Sequence, residues 1–300
     1  MPALLLHMTI AEEIVATAPA SPLAEAARVA RDAYLLGSIL PDLPYHARFL
    51  TQVVRHLLKR GYLVSEWGDI FHTRGSGRLG LAMLAHARRA QLGPRDTQAV
   101  LALVAGYLCH CALDTIVHPA INRRVDAELE HSDHRPDVLH SEVERWQSLL
   151  YHYDLLGHDI TGRAYARQLI GRTAGTNGRR SRMPTALWQA MRAGCIETHG
   201  RAPDPLQVND WLWGIRTYAR LISSPIGRKT EGISIDVERA RREHYTNDQF
   251  NLHQPLERGC QLTLEYWDAA TQLWNSERLS DEARANYLTA VPDVDLATGA

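Results

Sequence analysis

The sequence predicts an all-α, single-domain protein: a multi-helix bundle with a buried polynuclear metal site. Three observations lead there. Apolar residues recur at helical spacing through most of the chain, with no convincing run of β-type alternation. No 20–50-residue repeat interrupts that pattern. And one apolar run, GYLCHCALDTIVHPAIN at residues 106–122, places His110, Asp114 and His118 at four-residue intervals. Residues 1–288 are expected to form the domain and residues 289–300 a frayed tail.

In chain order, His7 falls between an apolar start and a helical segment, residues 9–17, for which Thr9 is a fitting N-cap with Glu12 three residues on. Residues 24–38 read as a second helix. The turn-rich LPDLPY that follows holds Asp42 between Pro41 and Pro44; capping the next helix is the plain alternative for that carboxylate. Residues 48–58 form an amphipathic helix. In residues 69–90 the second half is helical, with His72 at its entrance or on the preceding turn, and Arg74, Gly75 and Gly77 forming a basic rim. The central helix runs over about 96–118 and Pro119 follows it. Residues 123–137 read as a solvated helix plus loop. Residues 140–157 form another helix, on which His140 and Glu144 stand one turn apart on one face. Residues 171–184, GRTAGTNGRRSRMP, are a glycine- and arginine-rich loop that either covers the site or joins helices. Helices follow at 185–195 and 206–223, with Trp211 and Trp213 read as core and rim. After a polar stretch at 237–251 comes a last helix at 255–274.

The bulk numbers exclude several classes. A composition 45% hydrophobic and 22% charged is that of an ordinary globular chain. The formal net charge of -1 gives no global attraction for nucleic acid or an anionic membrane surface. Cys109, Cys111, Cys195 and Cys260 are too few and scattered for a disulfide framework; Cys109 and Cys111 flank His110 and read as packing residues. No basic n-region precedes the short apolar start, and no run of 18 apolar residues occurs, so a cytoplasmic protein without a transmembrane helix is expected. GSGRLG at 75–80 lacks a preceding strand, and there is no GxSxG elbow.

Function is carried by the polar residues of the central run. On a helix, His110, Asp114 and His118 fall within roughly 80° of one face, and the two histidines lie roughly 12 Å apart along the axis. One ion cannot span that distance, so if all three are ligands the site holds at least two metals, with Asp114 between them. Buried without partners, three such groups are costly. The full candidate set is His7, Asp42, His72, His110, Asp114, His118, His140 and Glu144. Nitrogen and carboxylate ligands without thiolate fit Zn2+, with Mn2+ or Fe2+ as competitors. Ions about 3.5–4 Å apart suit phosphate ester hydrolysis, by polarising phosphoryl oxygens, activating water and stabilising the leaving oxygen.

These motifs resemble the zinc-dependent phospholipase C family, which is related to the single-strand-specific zinc nucleases. The matching pieces are LLLHMTIAEEI (His7), LGSILPDLPY (Asp42), FHT (His72), GYLCHCALDTIVHP (His110, Asp114, His118) and HSEVE (His140, Glu144). The resemblance covers roughly residues 1–150 and implies three zinc ions. His72, His110 and Asp114 would hold one, and His118, His140 and Glu144 another. His7 would help hold a third that shares Asp114. Asp42 matches the carboxylate that orients or deprotonates the attacking water. Secreted members begin with a tryptophan that ligates the third ion, and no tryptophan lies near the start here. The short HxxxDxxxHP form is similar to that of intracellular bacterial relatives. The implied activity is zinc-dependent phosphoester hydrolysis with a phospholipid headgroup bond as substrate. A nuclease or nucleotidase, and a non-catalytic metal-stabilised scaffold, are the alternatives; near-neutral charge argues against long nucleic acid.

Overall fold

The computed structural model describes residues 3–57, 63, 65–130, 135–173, 175–176, 181–231, 237, 242 and 251–300. These form α1 (Ala3–Thr17), α2 (Pro22–Val29), α3 (Arg31–Gly37), a 3-10 turn (Leu43–His46), α4 (Phe49–Leu57), α5 (Glu66–Thr73), α6 (Ser76–Arg89) and α7 (Pro94–Leu129). They continue with α8 (Pro136–Leu156), α9 (Tyr165–Gly171), α10 (Thr185–His199), α11 (Pro205–Ile222), α12 (Pro225–Glu231), α13 (His253–Asn275) and α14 (Asp281–Ala290). No β-strand occurs among the described residues.

The helix α7 is the axis of the bundle. Nearly every residue from Val100 to Asp114 is buried, on all faces, which is the pattern of a helix surrounded by protein. It is also the one described helix long and apolar enough to cross a membrane, yet 89% of its most apolar window lies inside the bundle. Helices α2, α3, α6, α8, α10 and α13 pack around it. The crossing with α3 is a backbone contact: a Cβ on Gly106 would stand 2.0 Å from the Tyr34 carbonyl oxygen, and one on Gly37 2.1 Å from that of Leu103. Two buried aromatics tie neighbouring layers to one another. The Trp267 indole N–H donates to the Ala105 carbonyl (2.9 Å), and the Tyr34 hydroxyl to that of Ala11 (2.9 Å).

Several elements differ from the sequence-based expectation. His7 lies inside α1, not ahead of it. Thr9 is no cap; its hydroxyl is placed against His152 Nε2 (2.8 Å) and the Tyr165 hydroxyl (3.0 Å). The helix expected over 24–38 is two, because Ala30 (φ -109°, ψ 55°) leaves the helical region; Ser21 caps the first by accepting from the Ala24 N–H. His72 belongs to a helix of its own, α5, capped by Ser65. Pro119 does not end α7, which runs ten residues further, to Leu129. Its missing N–H costs only the bond to the Thr115 carbonyl.

The tail expected to fray beyond residue 289 is instead docked. Val291 and Leu296 are buried, and residues 293–299 bond to α5, α6 and α7. Trp211 is buried and Trp213 is 42% exposed, a core and a rim position. Of the loop expected at 171–184, residues 174 and 177–180 lie outside the described residues, as does most of the polar stretch at 237–251.

Candidate metal centre

His110, Asp114 and His118 share one face of α7, and each histidine ring is set by a backbone carbonyl. Because α3 and α7 touch at Gly37 and Gly106, the Ser38 carbonyl reaches His110 Nδ1 at 3.0 Å. The Gly68 carbonyl, one turn back on α5, takes His72 Nδ1 at 2.8 Å. The Leu296 carbonyl takes His118 Nδ1 at 2.6 Å. A carbonyl oxygen only accepts, so in all three rings Nδ1 carries the hydrogen. The Nε2 lone pair of each is thereby turned into the site, the arrangement that supports metal-ligating imidazoles.

The eight side chains singled out in the sequence fall into three groups, the first two sharing His110, and within each group the ligand atoms lie within 4.8 Å of one another. They are His7 with His110 and Asp114, Asp42 with His72 and His110, and His118 with His140 and Glu144. Asp114 is the hub. Its Oδ1 lies 3.0 Å from His7 Nε2, and its Oδ2 lies 3.0 Å from His110 Nε2, 3.6 Å from His72 Nε2 and 3.9 Å from His118 Nδ1. His72 Nε2 also stands 3.3 Å from Asp42 Oδ1, so it lies between Asp42 and the His110–Asp114 pair with which the resemblance groups it. Glu144 Oε1 is 3.3 Å from His118 Nε2 and 3.1 Å from His140 Nε2. His110 and His118 fall in different groups. Asp42 makes no capping bond to the 3-10 turn it precedes, which removes the plain alternative for it.

The donor set fits a cation on its own terms. His110 Nε2 and Asp114 Oδ2 are buried, face each other at 3.0 Å, and neither has a hydrogen-bond partner. With the hydrogen of His110 on Nδ1, two lone pairs confront each other there. A bound proton or a metal ion relieves that repulsion. No cysteine belongs to any of the three groups, and burial raises the Cys109 thiol to about 12 and raises that of Cys111 as well. Zinc with nitrogen and oxygen ligands matches what remains.

The electrostatics are those of a site built around positive charge. Burial alone would raise the Asp42 carboxyl, but the histidines His110, His72 and His7 bring it down to about 2. Asp114 is likewise buried, yet His110, His118 and His7 hold it well below the usual carboxylate range. Burial opposes protonation of His118, and Asp114 and Glu144 outweigh it, driving that imidazole up to about 10. His72 is raised against the same desolvation by Asp42 and Asp114.

The model of a known family, zinc-dependent phospholipase C, matches residues 6–179, more than half of the chain and a span that includes all eight side chains. The chain belongs to the zinc-dependent phospholipase C family. It is therefore a zinc-dependent phosphoric ester hydrolase. A comparison with curated proteins gives no match, and neither does one with solved structures.

Some residues of the centre left little trace in the sequence. The carbonyls of Ser38, Gly68 and Leu296 act through backbone that any residue type carries. Gln147 is different. It lies three residues after Glu144 on α8, 1% exposed, with an Nε2 that has no hydrogen-bond partner. It lines a small cleft with Leu6, His7, Asp114, His118 and Glu144, and its helical spacing from Glu144 was the available signal.

Proposed function

We propose that this enzyme is a phospholipase C-like phosphodiesterase, whose ions are held by His7, Asp42, His72, His110, Asp114, His118, His140 and Glu144, and which acts on a phospholipid headgroup ester. One observation carries the reading: the Asp114 carboxylate lies 3.0–3.9 Å from His7, His110, His72 and His118, and so connects the first two ligand groups to the one that His118 forms with His140 and Glu144. Zinc, when bound, supplies a Lewis acid for the phosphoryl oxygens and acidifies water.

The rest is done by the chain. Asp42 has the most exposed side chain of the inner cluster, 19% against 6% for its neighbour His72, so water reaches the site past it. Held near 2, its carboxyl is ionised at neutral pH and accepts a hydrogen bond from the attacking water. Its Oδ1 faces His72, leaving Oδ2 for that task. The backbone carbonyls fix the imidazoles and so limit the reorganisation needed during reaction. The family match supports a lipid-borne ester as substrate; the cleft that Leu6, Ile10, Val117 and Ile121 line beside His7 and His118 holds only about 20 Å³. A formal net charge of -1 supplies no basic footprint for a long nucleic acid.

The test is a panel of a phosphatidylcholine diester, a dinucleotide and an aryl phosphate, offered to zinc-loaded protein. The lipid diester should be cleaved best. Asp42→Asn should abolish cleavage while the zinc held by the other seven ligands stays bound. A fully zinc-loaded protein that cleaves none of the three would overturn the assignment.

A further inference from the structure

The segment after α14 has no place in the ligand set and lies outside the residues that match the family model, yet it touches the centre at two points. Leu296 is fully buried and uses both of its backbone groups there. Its carbonyl accepts from His118 Nδ1 (2.6 Å), and its N–H donates to the His72 carbonyl (2.6 Å) at the end of α5. One residue thus bridges the two helices that carry His72 and His118. The segment is fastened on both sides of this bridge. Upstream, the Arg78 N–H donates to Asp293 Oδ1 (2.8 Å), the Arg78 guanidinium pairs with the same carboxylate, and the Ser76 hydroxyl bonds both backbone groups of Val294. Downstream, Asn122 donates to the Ala297 carbonyl (2.8 Å).

Gly299 completes the attachment. It adopts φ +72°, and a Cβ there would stand 2.5 Å from the Thr115 carbonyl oxygen and 2.5 Å from Pro119 Cγ. The Thr115 carbonyl is the one for which Pro119 has no N–H. Pro119 therefore opens a notch in α7 one turn from His118, and glycine is the residue that fits over it.

We propose that residues 293–299 are a strap that positions His118 and His72, with the Leu296 carbonyl holding His118 so that its Nε2 faces Glu144. The strap touches no substrate; it acts through the ring it orients. Without that carbonyl, either nitrogen of His118 can carry the hydrogen and the ring is free to turn, so the cation held with His140 and Glu144 binds less tightly. Loss of an orienting partner of this kind costs about 10–100-fold in metal affinity. The proposal rests on the reading of His118 as a metal ligand given above.

The experiment measures zinc affinity on the full chain, by competition with a chromogenic chelator, for wild type, Gly299→Val and Leu273→Ala. The last is a control. Leu273 is buried on α13, near the Arg88 end of α6 and well along α13 from Gly259, which packs on Leu113 beside the centre. It lowers stability without touching the strap. Gly299→Val should weaken one of the bound ions at least tenfold. It should also shift or abolish the hydrogen-bonded His118 Nδ1–H resonance in a 15N-histidine spectrum, an effect Leu273→Ala should lack. Equal zinc affinities in wild type and Gly299→Val would overturn the strap, as would equal losses in Gly299→Val and Leu273→Ala. Should Gly299→Val fail to fold, Asn122→Ala removes one fastening more gently, and an affinity within twofold of wild type would overturn it equally. A wild type that binds no zinc would instead bring down the metal-centre reading itself.

Discussion

Gly106→Ala separates two physical effects by sign. Helix propensity alone makes alanine about 1 kcal/mol better than glycine within a helix. The crossing with α3 says the opposite. The new methyl would stand 2.0 Å from the Tyr34 carbonyl oxygen, 2.6 Å from the Ser38 nitrogen and 2.9 Å from Gly37 Cα, all backbone atoms that no rotamer change can move. Relieving the first contact even to 3.0 Å separates the helices by about 1 Å, which stretches the 3.0 Å Ser38–His110 bond beyond hydrogen-bonding distance. Overpacking costs about 1–3 kcal/mol and the lost bond about 1 kcal/mol. Set against the propensity gain, the net loss is about 1–3 kcal/mol, a fall in Tm of roughly 3–8 °C. The His110 ring loses the carbonyl that fixes its hydrogen on Nδ1, so zinc affinity should fall about tenfold or more. Thermal unfolding with and without chelator, and zinc competition, read both quantities. A variant as stable as wild type or more so, with unchanged zinc affinity, would refute the crossing as the device that sets His110.

Two further outcomes follow from the buried histidines. Burial holds His152 at about 4, with the Ser148 carbonyl only partly opposing it. The unfolded chain, with an imidazole near 6.5, therefore binds more protons than the folded one between pH 6.5 and 4, and stability falls as pH drops through that window. In zinc-free protein His152→Gln should flatten the acid limb of the stability curve by roughly 3 kcal/mol; an unchanged limb in urea unfolding would contradict this. In the zinc-free protein Asp114 and Glu144 also keep His118 protonated at neutral pH against its burial. Zinc must displace that proton, so titration of the metal-free protein in buffers of different ionisation enthalpy should show at least one proton released; none released would contradict the electrostatics.

The sequence shows the ligand-bearing side chains well and their supports poorly, for a physical reason. His110, Asp114 and His118 stand out because polar groups at four-residue spacing are unexpected in an apolar run, and His140 with Glu144 repeats the spacing. Helical periodicity likewise reveals α7, α8 and α13. The strap shows nothing comparable: VPDVDLATG has no helical period and docks through carbonyls and N–H groups, so residue type says little about where it lies. Pro119 reads as a stop, since the rule against interior proline ignores a neighbour able to pack over the break. Ala30 divides two helices without a glycine or proline to announce it.

Asp114 and the histidines around it are read as holding a cluster of ions. Zinc quantification on protein purified without added metal tests this reading most directly. Two or three equivalents per chain are expected, falling when His118 or Glu144 is replaced. One equivalent or none would contradict it.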